Sequence, residues 1–230
     1  MKILILNGSP KCEKSGTLKM SNAFARGIAS VTGGEISVIH AAEKRIEYCS
    51  GCFICKKTGE CVLEDDMGDI LDQIKQSDFV IFGFPLYCHS MPAALKVIVE
   101  RTMPLTAEKI VKGEDGKYHH AEREGAKKQR FVMICGSGYP GSREDFINTE
   151  KTFRRSFPQC DCVVTVEESP LFSIKEAEAF SGPRLSLLEA AGAEYAEHGA
   201  VSEATEKALG VPMIPEEIYM KFANGEKTGR

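Results

Sequence analysis

DFVIFGF, residues 78–84, sets one aspartate ahead of an unbroken run of apolar residues and a single glycine. A strand exposed on one face alternates polar and apolar residues. A run without alternation is the pattern of a parallel strand buried on both faces. Such a strand needs parallel neighbours and a helical layer above and below, so the flanking stretches should be helices. In EDDMGDILDQIKQSD, residues 64–78, Met67, Ile70, Leu71 and Ile74 recur at i, i+3, i+4 and i+7, with Asp65 or Asp66 placed to cap a helix. PLYCHSMPAALKVIVER, residues 85–101, reads as a loop and then a helix.

Further out the same alternation returns. Lys2–Leu6 is a short aliphatic run closed by Asn7-Gly8-Ser9-Pro10. Thr17–Val31 places Met20, Phe24, Ile28 and Val31 near helical spacing, and Ile36–Ile39 is a second short strand. Downstream, Phe131–Cys135 is another buried run. Residues 143–157 carry Phe146, Phe153 and Phe157 on one helical face, and CDCVVTV (160–166) is a fifth strand. Residues 182–198 form a helix with Leu185, Leu188 and Gly192 inward. Strand and helix alternate five times, which predicts an α/β fold: a doubly wound five-stranded parallel sheet with helices on both faces. Two pieces stand outside. One is 109–130, where Asp115-Gly116 is a hairpin turn signal; the other is the tail, where Pro215-Glu216-Glu217 starts a helix. The expected organisation is one domain over 1–200, with a cysteine loop at 48–62 and a hairpin insertion at about 107–130. A C-terminal helical extension over 201–230 follows.

The chain has 230 residues and a net charge of −4 of mixed sign, so no nucleic-acid partner is expected. No run approaches the roughly 18 apolar residues of a membrane span, so no membrane partner is expected either. Ile3-Leu4-Ile5-Leu6 is shorter than the apolar region of about 7–15 residues in a secretory signal, which points to the cytoplasm. Nine cysteines are present. In a reducing compartment clustered cysteines lean toward metal or redox chemistry. The scattered ones, Cys12, Cys88, Cys135, Cys160 and Cys162, read as small buried hydrophobes.

In open parallel sheets ligands sit at the carboxyl ends of the strands, at the switch point. The first such loop, NGSPKCEKSGT (7–17), offers the hydroxyls of Ser9, Ser15 and Thr17, the ammonium groups of Lys11 and Lys14, and the amides of a helix start. An ordinary helix cap needs one hydroxyl; this set is a phosphate site. The fingerprint G-x-G-x-x-G is absent, and G-x-x-x-x-G-K-[ST] is missed because Glu13 stands where its second glycine belongs, where a carboxylate would crowd phosphates.

A first strand ending in Gly8-Ser9-Pro10, the hydroxyl-rich loop, and PLYCHSMPAALK after the third strand together resemble the flavodoxin-like NADPH-dependent FMN reductase family. They also resemble its cysteine-bearing branch, the iron–sulfur flavoproteins. The likeness covers roughly residues 1–170. It implies a flavodoxin-like fold, FMN as cofactor and NAD(P)H as co-substrate. It further implies that Ser9, Lys11, Ser15, Gly16 and Thr17 grip the FMN phosphate. Pro85, Leu86, Tyr87 and Cys88, with Ser90 and Met91 behind them, would edge the isoalloxazine ring, and Gly136, Ser137 and Gly138 would form the third wall. Lys11 stands where family members often carry arginine, keeping the charge but not the bidentate geometry. The flavin carries the chemistry, so no protein acid or base is obligatory. His89, next to the expected ring edge, could donate a proton, although a lone loop histidine usually reads as a surface residue.

Cys49, Cys52, Cys55 and Cys61 read C-x2-C-x2-C-x5-C. The first spacings match a bacterial ferredoxin run; the last differs, and Val62 replaces the proline. Three cysteines within seven residues suit a [4Fe-4S] cluster better than zinc, which usually takes two separated pairs. Reduced thiols or a redox disulfide remain open alternatives. With a cluster the protein would pass electrons singly to a partner such as a ferredoxin. Without one it would be an NADPH-dependent FMN or quinone reductase acting on small acceptors. A third reading is a zinc-stabilised flavodoxin-like binding module with no turnover. Adjacent His119 and His120 on a strand would point to opposite faces, a poor metal pair. Ile214, Ile218 and Phe222 form an apolar stripe, read as a contact of a homodimer or homotetramer that closes over the flavin.

Overall fold

The computed structural model describes residues 1–113 and 116–225. In chain order its elements are β1 (Lys2–Asn7), α1 (Gly16–Thr32), β2 (Glu35–His40), α2 (Ile54–Thr58), α3 (Met67–Gln76), β3 (Phe79–Pro85) and α4 (Ala93–Glu100). There follow β4 (Thr106–Lys112), β5 (Tyr118–Glu122), β6 (Arg130–Gly136), α5 (Phe146–Ser156), β7 (Cys160–Val166), α6 (Glu178–His198), α7 (Glu203–Leu209) and α8 (Glu216–Ala223).

Five strands form a parallel sheet in the order β2-β1-β3-β6-β7. The unbroken apolar run is its centre: Phe79–Phe84 of β3 is buried throughout, between β1 and β6. At the edge, β2 leaves Ile36 and Val38 more than a third exposed. One face of the sheet packs against α3, α4 and α5, where Phe82, Phe131, Phe153 and Phe157 form a ring cluster with centroids 4.8–6.2 Å apart. The other face packs against α1 and α6. These helices meet backbone to backbone: a Cβ on Gly27 would lie 1.9 Å from the Glu189 carbonyl oxygen, and one on Gly192 would lie 2.0 Å from that of Phe24. The inward Gly192 read from the sequence is therefore a crossing point. Helix α6 itself begins at Glu178, ahead of the Gly182-Pro183 pair that reads as its start.

The insertion is a separate two-stranded antiparallel sheet, with Ile110 opposite His120 and Lys112 opposite Tyr118. It ends at Glu122, and residues 123–129 return irregularly to β6, so the hairpin is shorter than the expected stretch to 130. Asp115 of the turn lies outside the described residues; Gly116 has φ +75°. The tail holds α7, which no strong sequence signal marks beyond Ser202, whose hydroxyl accepts from the Thr205 amide. The expected stripe on α8 is rotated. Ile214 is buried, but Ile218 is 42% exposed and Tyr219 turns inward in its place, its hydroxyl donating to the Gly138 carbonyl. Among the described residues no helix is long and apolar enough to cross a membrane.

Candidate functional site

Four loops leave the carboxyl ends of β1, β3, β6 and β7 side by side, where the strand order reverses, and enclose a cavity of about 560 Å3. The β1–α1 loop is held open from below. Asn7 is fully buried; its side-chain oxygen accepts from the Ser9 amide (3.2 Å) and its Nδ2 faces His40 Nδ1 at 2.9 Å, while His40 Nε2 pairs with Glu13 at 2.8 Å. Glu13, which spoils the nucleotide motif, is thus turned away to β2. Ser15 caps α1, accepting from the Leu18 amide at 3.2 Å and sharing a 2.8 Å hydrogen bond with Thr17 Oγ1. Ser9, Ser15 and Thr17 are almost completely buried, yet each lines the cavity together with Lys11 and Gly16. Lys14 is exposed and stands outside it.

The second loop contributes Pro85, Leu86, Tyr87 and Cys88, and the third Gly136, Ser137 and Gly138, all lining the cavity. Ser90 and Met91 do not. Ser90 closes the turn by paired backbone hydrogen bonds with Tyr87, and Met91 is buried in the α4 side of the core. Gly136 has no room for a side chain: a Cβ would meet Ser169 Cβ at 2.5 Å and Thr17 Cγ2 at 3.0 Å. His89 and Tyr139 also reach the cavity, and His89 Nδ1 stands 3.3 Å from Asp145, a pair at the rim. Sequence reasoning missed Asp145 and the whole fourth wall, Ser169, Pro170 and Ser173. The strand-end rule could have found that wall, since Glu167–Pro170 follows the fifth parallel strand.

Non-glycine residues with left-handed backbone gather at this edge: Cys12 (φ +47°), Cys88 (+48°), His89 (+59°) and Glu168 (+56°). Such positions cost free energy and persist where surrounding contacts fix them. Glu168, buried, accepts from the Met213 amide at 2.6 Å and so ties the fourth wall to the tail; burial raises its pKa.

The residues present suit FMN: the volume is that of a cofactor site, and the lining joins hydroxyls, an ammonium group and the start of α1 to Leu86, Tyr87 and Tyr139.

The cysteine loop lies apart: Cys49 and Cys52 precede α2, Cys55 is within it and Cys61 follows it. Cys49 and Cys52 are exposed, Cys55 and Cys61 half-buried. A backbone hydrogen bond from Ile54 lowers the Cys52 pKa, whereas burial raises that of Cys55. Arg101, buried beneath, makes a bidentate pair with Asp65 (2.7 and 3.0 Å), and its Nε is buried without a hydrogen-bond partner while its charge couples to Cys61. Asp65 is thus more than a helix cap: its other duties are this cation and the amides of Glu47 and Met67. A buried cation at Cys61 suits a thiolate there chemically. Yet among the described residues no three His, Cys, Asp or Glu side chains converge as a metal site, so the loop does not bring Cys49, Cys52, Cys55 and Cys61 together as ligands here.

Residues 1–145 match a family described as NADPH-dependent FMN reductase. The chain is 37% identical over 105 residues to an iron–sulfur flavoprotein of Methanocaldococcus jannaschii, covering 46% of this chain and 53% of the relative. It is 33% identical over 148 residues to an iron–sulfur flavoprotein of Archaeoglobus fulgidus, covering 64% and 61%. The matches thus span about half to three-fifths of the length of these relatives. In structure the chain resembles an FMN-dependent NADH-azoreductase from Bacillus anthracis in complex with FMN (TM-score 0.58, 19% identity, 85% of this chain and 99% of that one). It also resembles an NAD(P)H:quinone oxidoreductase from Methanothermobacter marburgensis (TM-score 0.60, 17% identity, 86% and 98%). At those identities the shared property is the flavodoxin-like fold.

Proposed function

The chain belongs to the NADPH-dependent FMN reductase family, and from that membership we propose that it binds FMN at the sheet's carboxyl edge and works as an NAD(P)H oxidoreductase. The observation that carries this is the β1–α1 loop, where three buried hydroxyls, Lys11 and the opening amides of α1 share one cavity. Bound FMN would supply hydride acceptance from a nicotinamide and electron release to an acceptor.

The protein's own contribution is positioning. Ser9 and Thr17 would donate to the phosphate, with Ser15 holding Thr17 in place by donating to its hydroxyl, while Lys11 and the helix end would balance the charge. Pro85, Leu86, Tyr87 and Cys88 stand beside Gly136, Ser137 and Gly138, the Leu86 amide donating to the Gly136 carbonyl at 2.8 Å, and together would edge the ring. His89, whose Nδ1 stands 3.3 Å from Asp145, reaches the cavity at its rim.

The proposal extends to a [4Fe-4S] cluster on Cys49, Cys52, Cys55 and Cys61, supported by their spacing, by the buried Arg101 whose charge couples to Cys61, and by relatives named as iron–sulfur flavoproteins. The competing reading, a cluster-free FMN or quinone reductase, is favoured by the lack of a converging ligand set among the described residues. An absorbance spectrum with iron and sulfide assays on anaerobically purified protein separates them. Flavin bands that bleach with NAD(P)H, plus about four irons lost in Cys52→Ser with FMN retained, support the extended proposal. Flavin without iron supports the competing reading, and a colourless protein that takes up no FMN refutes both.

A further inference from the structure

A second cavity, of about 420 Å3, lies between the β4–β5 hairpin and the sheet edge, lined by neither the flavin loops nor the four clustered cysteines. Its floor is apolar. Phe131 and Phe157, stacked 4.8 Å apart, reach it, with Leu105 beside them. Its walls are cationic. Lys56 is only 3% exposed, and its ammonium group turns into this cavity to donate to the Thr106 hydroxyl. Among the described residues no carboxylate pairs with Lys56, nor with Lys128 or Arg155 on the same lining. The remaining lysine, Lys127, is neutralised by Asp78 at 2.7 Å, and the lining's one carboxylate, Glu122, accepts instead from Gln159. A buried ammonium group satisfied by a single neutral hydroxyl is an uncompensated charge, which folded proteins rarely keep without a partner.

We propose that this cavity is a binding site for a small aromatic carboxylate, its ring on the Phe131–Phe157 floor and its carboxylate on Lys56, with Arg155 and Lys128 at the mouth. The cation set demands an anion, and the apolar floor demands a flat apolar body rather than inorganic phosphate. The volume matches a ligand of one or two fused rings. The site does not depend on the FMN reading.

The test is calorimetric titration of the purified full chain with 2-naphthoate, repeated with 2-naphthamide, with added FMN, and on two variants. Saturable binding is expected, at least about tenfold weaker for the neutral amide and about tenfold weaker in Lys56→Met. Lys128→Glu, at an exposed position that cannot compromise folding as the buried change could, should weaken binding several-fold. Displacement of naphthoate by FMN would place it in the first cavity and overturn the proposal. So would equal affinity for the amide, or no saturation up to millimolar ligand. A dimer that dissociates on Lys128→Glu while naphthoate fails to saturate would assign this face to a second copy of the chain, and would also overturn it.

Discussion

Thr17 shows how much a single residue carries. Its carbonyl accepts from Ser21, its hydroxyl pairs with Ser15, its methyl limits Gly136, and it remains on the cavity wall. Thr17→Ala should cost one hydrogen bond to a charged phosphate, about 1.5–3 kcal/mol. FMN affinity measured by flavin fluorescence quenching should then fall roughly 10- to 150-fold, while Thr17→Ser retains most of it. The Asp65–Arg101 pair makes a different residue-scale prediction. The side chains are 5% and 1% exposed. Burial works against the Asp65 charge, but the Arg101 hydrogen bonds and two amides outweigh it and hold the pKa below the usual carboxylate value. A folded pKa below the unfolded one means that this stabilisation is complete above about pH 4 and is lost as pH falls through the folded value. Arg101→Met, which strands a buried carboxylate, should cost about 3–5 kcal/mol in urea unfolding at neutral pH. Asp65→Asn should flatten the acid limb of the stability profile.

At the scale of elements, the crossing of α1 and α6 is the least forgiving contact. Gly192→Ala would drive a methyl into the Phe24 carbonyl, so the helices must separate. Calorimetry should show a lower Tm, corresponding to at least about 1–3 kcal/mol of overpacking. The three central strands were legible because burial on both faces leaves an apolar run with no alternation to misread, as in Phe79–Phe84. Helix α7 was not, since a short polar helix is made by its Ser202 cap and by docking rather than by its own periodicity. Tyr219 was missed for a related reason. Its inward turn is decided by a distant acceptor, Gly138, which no local spacing encodes. Three walls of the cavity could be read as strand-end loops. The fourth, at Ser169, Pro170 and Ser173, obeys the same strand-end rule after β7 but was passed over because its residues carry no phosphate-binding pattern of their own.

For the molecule as a whole, the cysteine loop presents Tyr48, Phe53, Ile54 and Val62 to solvent, each 45–79% exposed. Clustered apolar exposure of this kind marks a contact surface. Light scattering should therefore give a mass above the 25.2 kDa of one chain, and Phe53→Ser with Ile54→Ser should lower it. A monomer would remove the assembly expected from the sequence. The Tyr219 hydroxyl meets a carbonyl made 81 residues earlier, and Met213 is likewise fixed to Glu168 across 45 residues. At synthesis rates of about 5–20 residues per second, roughly 4–16 seconds pass on the ribosome between the making of Gly138 and the arrival of its clasp. The nascent chain thus completes the sheet and three of its loops well before α8 exists to pin the third, and that wall is the last to set.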